Sequence, residues 1–153
     1  MPGRIILLRH GQTYSNISRF LDTRPPGAEL TERGRDQAAD VGRELAQLVG
    51  EREVEFKCSV ALRAQQTAML AARAFEQERG IPEFSQRVDV ITDVHEIFAG
   101  DWEMDGTNST SGKLFFTHPR ICWNATGWVL SRRISSFPGR VMMLKATGIS
   151  TSR

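Results

Sequence analysis

The chain alternates short apolar runs with long stretches of helical periodicity, twice in succession, and that order admits few architectures. Residues 4–8, Arg-Ile-Ile-Leu-Leu, have the length and β-branched content of a buried strand and stop abruptly at Arg9-His10-Gly11. Polar residues follow to Asn16, then a Pro/Gly loop at Arg24-Pro25-Pro26-Gly27. Thr31 is a candidate N-cap for a helix to about Val49, with Ala38, Val41, Leu45 and Leu48 at helical spacing and Gly50 as its stop. The pattern then repeats. Val54 to Cys58 reads as a second strand, and Leu62 to about Glu78 as a second helix with Thr67, Leu70, Ala71, Ala74 and Phe75 on one face. Val88 to Ile91 reads as a third strand. Strands joined by helices imply right-handed crossovers and an α/β fold: a three-layer sandwich with a largely parallel sheet.

The bulk composition narrows the class further. At 153 residues and 40% hydrophobic, the chain is about one domain, large enough for a core without disulfide or metal staples. No apolar run approaches the roughly 18 residues of a membrane span. The run Ile5-Ile6-Leu7-Leu8 is shorter than the core of about 7 to 15 that a signal peptide needs, so a cytoplasmic location is expected. Cys58 and Cys122 lie far apart, without CxxC or Cys/His spacing, which argues against a zinc site or a disulfide.

Ligands of parallel sheets bind beyond the carboxyl ends of the strands, so the residues after each strand are the ones to weigh. These are Arg9, His10, Gly11, Gln12, Thr13 and Asn16 after the first, Ser59 and Arg63 after the second, and His95, Glu96 and Asp101 after the third. Arginine forks match phosphate oxygens, an imidazole can attack as a nucleophile, and a carboxylic acid can donate a proton. Together they are the inventory of a phosphate-transfer site. Each also has a plainer reading, as a capped histidine, a helix-opening arginine or a solvated loop acid. Asp93, Asp101, Glu103 and Asp105 compete with Glu96 for the acid's place.

Four segments, in order, resemble the motifs of the histidine phosphatase superfamily, also called the phosphoglycerate mutase-like family. Leu8-Arg9-His10-Gly11-Gln12-Thr13 with Asn16 is similar to LRHGxTxxN, and Leu30-Thr31 with Gly34 and Gln37-Ala38 to LTxxGxxQA. Ser59 to Ala68 resembles SxxxRAxxTA, and Glu96 to Glu103 resembles ExxxGxWE. The resemblance implies that His10 is the nucleophile that becomes phosphorylated and that Arg9 and Arg63 hold the phosphoryl oxygens. It implies Asn16 and Thr13 as supporting phosphate contacts, and Glu96 as proton donor to the departing alkoxide. The arginines would supply the positive charge that phosphoryl transfer needs, so no metal or other cofactor is expected. The implied partner is a small phosphorylated substrate. Hydrolysis is expected in preference to a mutase reaction, because a mutase needs further substrate contacts that are not legible here. The alternative is a noncatalytic phosphate-ligand-binding or interaction protein.

The resemblance covers residues 4–105 and stops there. All 18 carboxylates fall between Asp22 and Asp105, so residues 1–105 carry 13 cations against 18 acids and residues 106–153 carry seven cations against none. The family completes its pocket with a second histidine in a Ser-His-Gly-type motif. No His-Gly follows His10-Gly11; the one later histidine, His118, precedes Pro119 and receives no role. The basic residues of 106–153 form no run longer than two, which disfavours nucleic-acid binding, and 18 apolar residues of 48 disfavour disorder. A segment read out of frame fits best. Residues 1–105 are thus expected to form the N-terminal part of a histidine phosphatase domain. The sheet is expected to be truncated or aberrant beyond it, with an exposed edge and impaired activity. Nothing in the sequence bears on the oligomeric state or singles out one substrate.

Overall fold

A computed structural model describes residues 5–92, 94–117 and 141–144. In chain order the elements are β1 (Ile5–Leu7), α1 (Tyr14–Ser18), α2 (Glu32–Val49), β2 (Val54–Ser59), α3 (Leu62–Arg79), β3 (Val88–Ile91), a 3-10 turn (Gly100–Trp102), α4 (Thr110–Thr117) and β4 (Val141–Leu144). The strands form one sheet in the order β1-β4-β2-β3, and every pairing is parallel. The two crossovers from β1 to β2 and from β2 to β3 run the same way along the sheet. Right-handed crossovers of that kind place α2 and α3 side by side on one face.

Three expected strands and two expected helices are present, with ends within a residue or two; Arg4 lies outside the described residues. Three elements were not anticipated: the short helix α1, helix α4 and strand β4. The last is the largest departure from expectation. β4 pairs with β1 through Ile5↔Met142 and Leu7↔Leu144, and with β2 through Val54↔Val141 and Phe56↔Met143. Residues from the segment after Asp105 therefore occupy a central place in the sheet, between β1 and β2. The run Val141-Met142-Met143-Leu144 has the composition of a buried strand. Four apolar residues alone do not distinguish a strand from other buried structure.

Helix α2 starts where Thr31 Oγ1 accepts the Gly34 amide at 3.0 Å and stops at Gly50, whose φ of 58° suits glycine. Its buried face differs from the expected one. Gly34, Ala38, Gly42, Leu45, Ala46 and Val49 are buried, whereas Leu48 is 61% exposed and Val41 lies at the margin. The helix turns its small residues inward because they allow the closest approach to α3. A Cβ at Gly42 would lie 2.2 Å from the Ala71 carbonyl oxygen. On α3 the facing residues are equally small, with Ala64, Thr67, Ala68, Ala71, Ala72 and Ala74 all buried. Phe75 adds bulk at the far end and meets Phe56 of β2 edge-on, ring centroids 5.5 Å apart. Leu70, expected on this face, is only half-buried.

Two buried polar groups near this core are accounted for. Cys58 of β2 lies within it, and burial, helped by the Asp89 charge, pushes its thiol up to about 11, so it stays protonated and unreactive. Cys122 lies outside the described residues. Glu76 of α3 is buried but accepts the amides of Phe84 at 3.0 Å and Gln86 at 2.6 Å, which ties the loop before β3 to the helix.

A second, smaller cluster joins the segment after α1 to the segment after β3. Leu21, Ala99 and Trp102 pack together. Around them Leu21 N donates to Asp105 O at 2.8 Å, Met104 N to Leu21 O at 2.6 Å and Thr107 N to Arg19 O at 2.7 Å. Glu103 closes this join. Its carboxylate accepts the Thr23 amide at 2.6 Å, the Arg24 amide at 2.9 Å and the Thr23 hydroxyl. Burial pushes its pKa up, but the hydrogen bonds from Thr23 and Arg24 outweigh that and hold it below the usual 4.5.

Two predictions follow from this packing. Gly42→Val is expected to lower the unfolding free energy by about 1 to 3 kcal/mol in urea titrations, whereas Leu48→Ala changes it by less than about 0.5 kcal/mol. Equal effects at the two positions contradict the inward face assigned to α2. Because the folded-state pKa of Glu103 is depressed, its stabilisation is complete above its usual 4.5 and fades as pH falls through the lower folded value. Wild type should therefore exceed Glu103→Gln by about 1 kcal/mol at pH 7, with the gap narrowing below about pH 4. A gap that stays constant from pH 7 to pH 3 removes the assigned role.

Candidate active site

The loop that leaves β1 is held by close backbone approach. A Cβ at Gly11 would lie 2.2 Å from the Gly34 carbonyl oxygen, and one at Gly34 would lie 2.1 Å from the Gln12 carbonyl oxygen. Two glycines thus let the first turn of α2 rest on the loop. Hydrogen bonds complete the contact: Thr31 N donates to Gln12 O at 2.9 Å, and Gln12 N donates to Gln37 Oε1 at 3.0 Å. The Leu-Thr-x-x-Gly-x-x-Gln segment is the clamp of this loop. From the other side, Gly11 N donates to Thr67 Oγ1 at 3.1 Å, and that hydroxyl donates to the Arg63 carbonyl at 2.7 Å. The His10 loop is therefore tied to the first turns of α3.

His10 is half-buried, and its Nδ1 lies 2.7 Å from the Gly11 carbonyl oxygen. A carbonyl can only accept, so Nδ1 carries the proton, and in the neutral imidazole the lone pair resides on Nε2. Arg9, its neighbour, has an exposed side chain. Thr13 and Asn16 are brought together as a reciprocal cap of α1. Thr13 N donates to Asn16 Oδ1 and Asn16 N donates to Thr13 Oγ1, both at 3.1 Å. Thr13 is only 1% exposed, whereas Asn16 is exposed. Thr13 thus holds Asn16, and Asn16 is the member of the pair that reaches solvent.

Arg63 opens α3 and is 3% exposed. Its Nη2 lies 2.6 Å from Glu96 Oε2. Its Nη1 is buried against Gly27 and has no hydrogen-bond partner among the described residues. A buried guanidinium nitrogen with nothing to donate to is costly. The loop beside it is well fixed, with Leu62 N donating to Pro26 O at 2.8 Å, Leu30 N to Gln66 Oε1 at 2.9 Å and Ala28 N to Asp22 Oδ2 at 2.7 Å.

The Glu96 to Glu103 segment divides its work. Glu96 pairs with Arg63, Gly100 turns the chain at φ 65°, Trp102 packs on Leu21, and Glu103 holds Thr23 and Arg24. Among the rival acids, Glu103 is thus committed to the loop, Asp101 is exposed, and Asp93 lies outside the described residues. His95 stacks on Phe98 at 4.9 Å and meets the Glu96 carbonyl through Nδ1. His118 lies outside the described residues. Residues that sequence reasoning passed over are Gly27, Asp22, Thr67 and Gln66. Thr67 was read as a helix-face residue, and the other three carry no periodic or motif signal of this role.

Comparison with known proteins bears on the family and the fold. The family model of the histidine phosphatase superfamily (branch 1) matches residues 5–133. The adenosylcobalamin/α-ribazole phosphatase of Escherichia coli K12 is 36% identical over 104 residues, which is 66% of this chain and 43% of that protein. The chain therefore spans less than half the length of that curated relative. Among solved structures, the mycobacterial glucosyl-3-phosphoglycerate phosphatase bound to VO3 superposes with a TM-score of 0.63 at 22% identity, over 94% of this chain and 75% of the other. The Entamoeba histolytica phosphoserine phosphatase in complex with 3-phosphoglyceric acid gives 0.61 at 22% identity, over 92% and 72%. These likenesses establish the phosphoglycerate mutase-like α/β fold, and with the family match over most of its length, the chain belongs to the histidine phosphatase superfamily.

Proposed function

We propose that this chain transfers a phosphoryl group from a small phosphomonoester to His10 and then to water. The observation that carries the reading is the Nδ1 hydrogen bond of His10 to its own loop, which favours the neutral tautomer whose lone pair is on Nε2, the nitrogen that would attack. In the first step Nε2 forms a bond to phosphorus as the ester P–O bond breaks, and Glu96, protonated, gives its proton to the leaving oxygen. In the second step a water gives its proton to the Glu96 carboxylate and attacks phosphorus, the P–N bond breaks, and inorganic phosphate departs. Arg63, through Nη1, together with Arg9 and Asn16, stabilises the charge on the three phosphoryl oxygens. Thr13 supports Asn16 from behind. The three relatives compared above bear the names of phosphatases, which favours hydrolysis over a mutase reaction.

A second reading rests on a specific observation: no His-Gly follows His10-Gly11 anywhere in the chain. The family's second histidine donor is not recognisable, and losing one such donor costs about 10² to 10³ in rate. This favours a protein that binds a phosphate ligand and turns it over slowly or not at all.

Incubation with an aryl phosphate, followed by alkaline quench, is expected to leave an acid-labile phosphoryl group on His10 that Asn at this position abolishes. Absence of both label and released phosphate from the wild type establishes the binding reading instead. Glu96→Gln is expected to slow hydrolysis of an alkyl phosphate by about 10² to 10⁴, and that of para-nitrophenyl phosphate, whose leaving group needs no proton, by much less. An equal loss on both substrates excludes Glu96 as the proton donor.

A further inference from the structure

We propose that Thr23 is a positioning residue: its hydroxyl holds the segment that carries Glu96 against the loop that flanks Arg63, and so sets where Glu96 stands. The inference rests on the reading of Glu96 as proton donor and adds a residue that lies outside all four motif segments. Thr23 is 4% exposed, and its hydroxyl makes two hydrogen bonds of opposite sense. A carboxylate can only accept, so the hydroxyl proton goes to Glu103 Oε2, while the Ala99 amide donates to the hydroxyl oxygen at 2.8 Å. Donation to a carboxylate polarises the hydroxyl and strengthens it as an acceptor. Ala99 is itself buried, so loss of that acceptor leaves a buried amide unsatisfied, a cost that the segment relieves by moving.

Ala99 follows Glu96 by three residues, and Thr23 opens the stretch that leads to Pro26 and Gly27. There Pro26 O accepts the Leu62 amide at 2.8 Å, and Gly27 stands against Arg63. Arg63 Nη2 then meets Glu96 Oε2 at 2.6 Å, which closes a circuit from Glu96 to Ala99, across to Thr23, along to Pro26, and across to Leu62 and Arg63. In this circuit the crossing from Ala99 to Thr23 is made by a small side chain that a substitution can remove without touching Glu96 or Arg63. Glu103 braces it from behind, since the same carboxylate takes the amides of Thr23 and Arg24. Proton donation requires the acid within hydrogen-bond reach of the leaving oxygen, so a displaced Glu96 segment impairs that step. The His10 loop is held elsewhere, by Gly34, Gln37 and Thr67, and attack by Nε2 does not depend on Thr23.

Thr23→Val keeps the outline of threonine and removes the hydroxyl, and Thr23→Ser keeps the hydroxyl; both are made in the full chain. Two NMR measurements report position without turnover: hydrogen exchange at the Ala99 amide and the carbon resonance of the Glu96 carboxyl. Thr23→Val is expected to speed Ala99 exchange by about tenfold and to move the Glu96 resonance, and Thr23→Ser to restore both. Thr23→Val is also expected to lower kcat for an alkyl phosphate by about 10 to 10², but for para-nitrophenyl phosphate by less than about threefold, with KM nearly unchanged and Thr23→Ser close to wild type. A merely structural role lowers both substrates alike, so equal losses overturn the proposal. Wild-type exchange and an unmoved Glu96 resonance in Thr23→Val overturn it too, as does failure of serine to rescue. Should Thr23→Val not fold, Thr23→Cys, with sulfur as a weaker acceptor, carries the same comparison. If the wild type hydrolyses neither phosphate, the enzyme reading alone fails, and the two NMR measurements still decide the positioning.

Discussion

Arg63 is the point on which the site depends. It is a permanent cation at the start of a helix, removed from water, and such a charge persists only if anions come to it. Glu96 is one, and the segment that carries it must be delivered to that spot. Much of the loop structure does so. Trp102 packing on Leu21, Glu103 holding Thr23 and Arg24, and the paired backbone of 19–21 with 104–107 all fix the Glu96 segment against the segment that flanks Arg63. The remaining guanidinium nitrogen, Nη1, is buried beside Gly27 with no hydrogen-bond partner among the described residues.

Small residues do the complementary work of bringing backbones together. Gly11 with Gly34 seats the His10 loop on α2, and Gly42 with Ala71 sets α2 against α3. Thr67 then links α3 back to Gly11. His10 and Arg63, on different elements, are held in one frame by three close approaches and a pair of hydrogen bonds. Larger side chains at these positions would separate the elements that carry His10 and Arg63.

Much of the fold was legible because its signals are local. The apolar runs, the Thr31 cap three residues before Gly34, and the stop at Gly50 act within a few residues, and their elements formed where expected. Packing faces were harder. Leu48 matched the periodicity better than Gly42, yet Gly42 is buried and Leu48 exposed, because depth of approach between helices outweighed hydrophobicity of a single side chain. Thr13 matched a motif position, but its hydroxyl is spent on Asn16. Strand β4 carried only a four-residue apolar run, and its place between β1 and β2 is set by partners more than eighty residues away along the chain.

The sequence by itself determined the order of the first three strands and the two long helices, and the family. These follow from periodicity, caps and motif residues that are neighbours in the chain. Tertiary structure alone decided which acid meets Arg63, which glycines allow close backbone approach, and which hydroxyl caps the Asn16 amide. Glu96 lies 33 residues from Arg63 and Glu103 lies 80 from Thr23. Pairings at such separations depend on how whole elements pack, and no local pattern encodes the outcome.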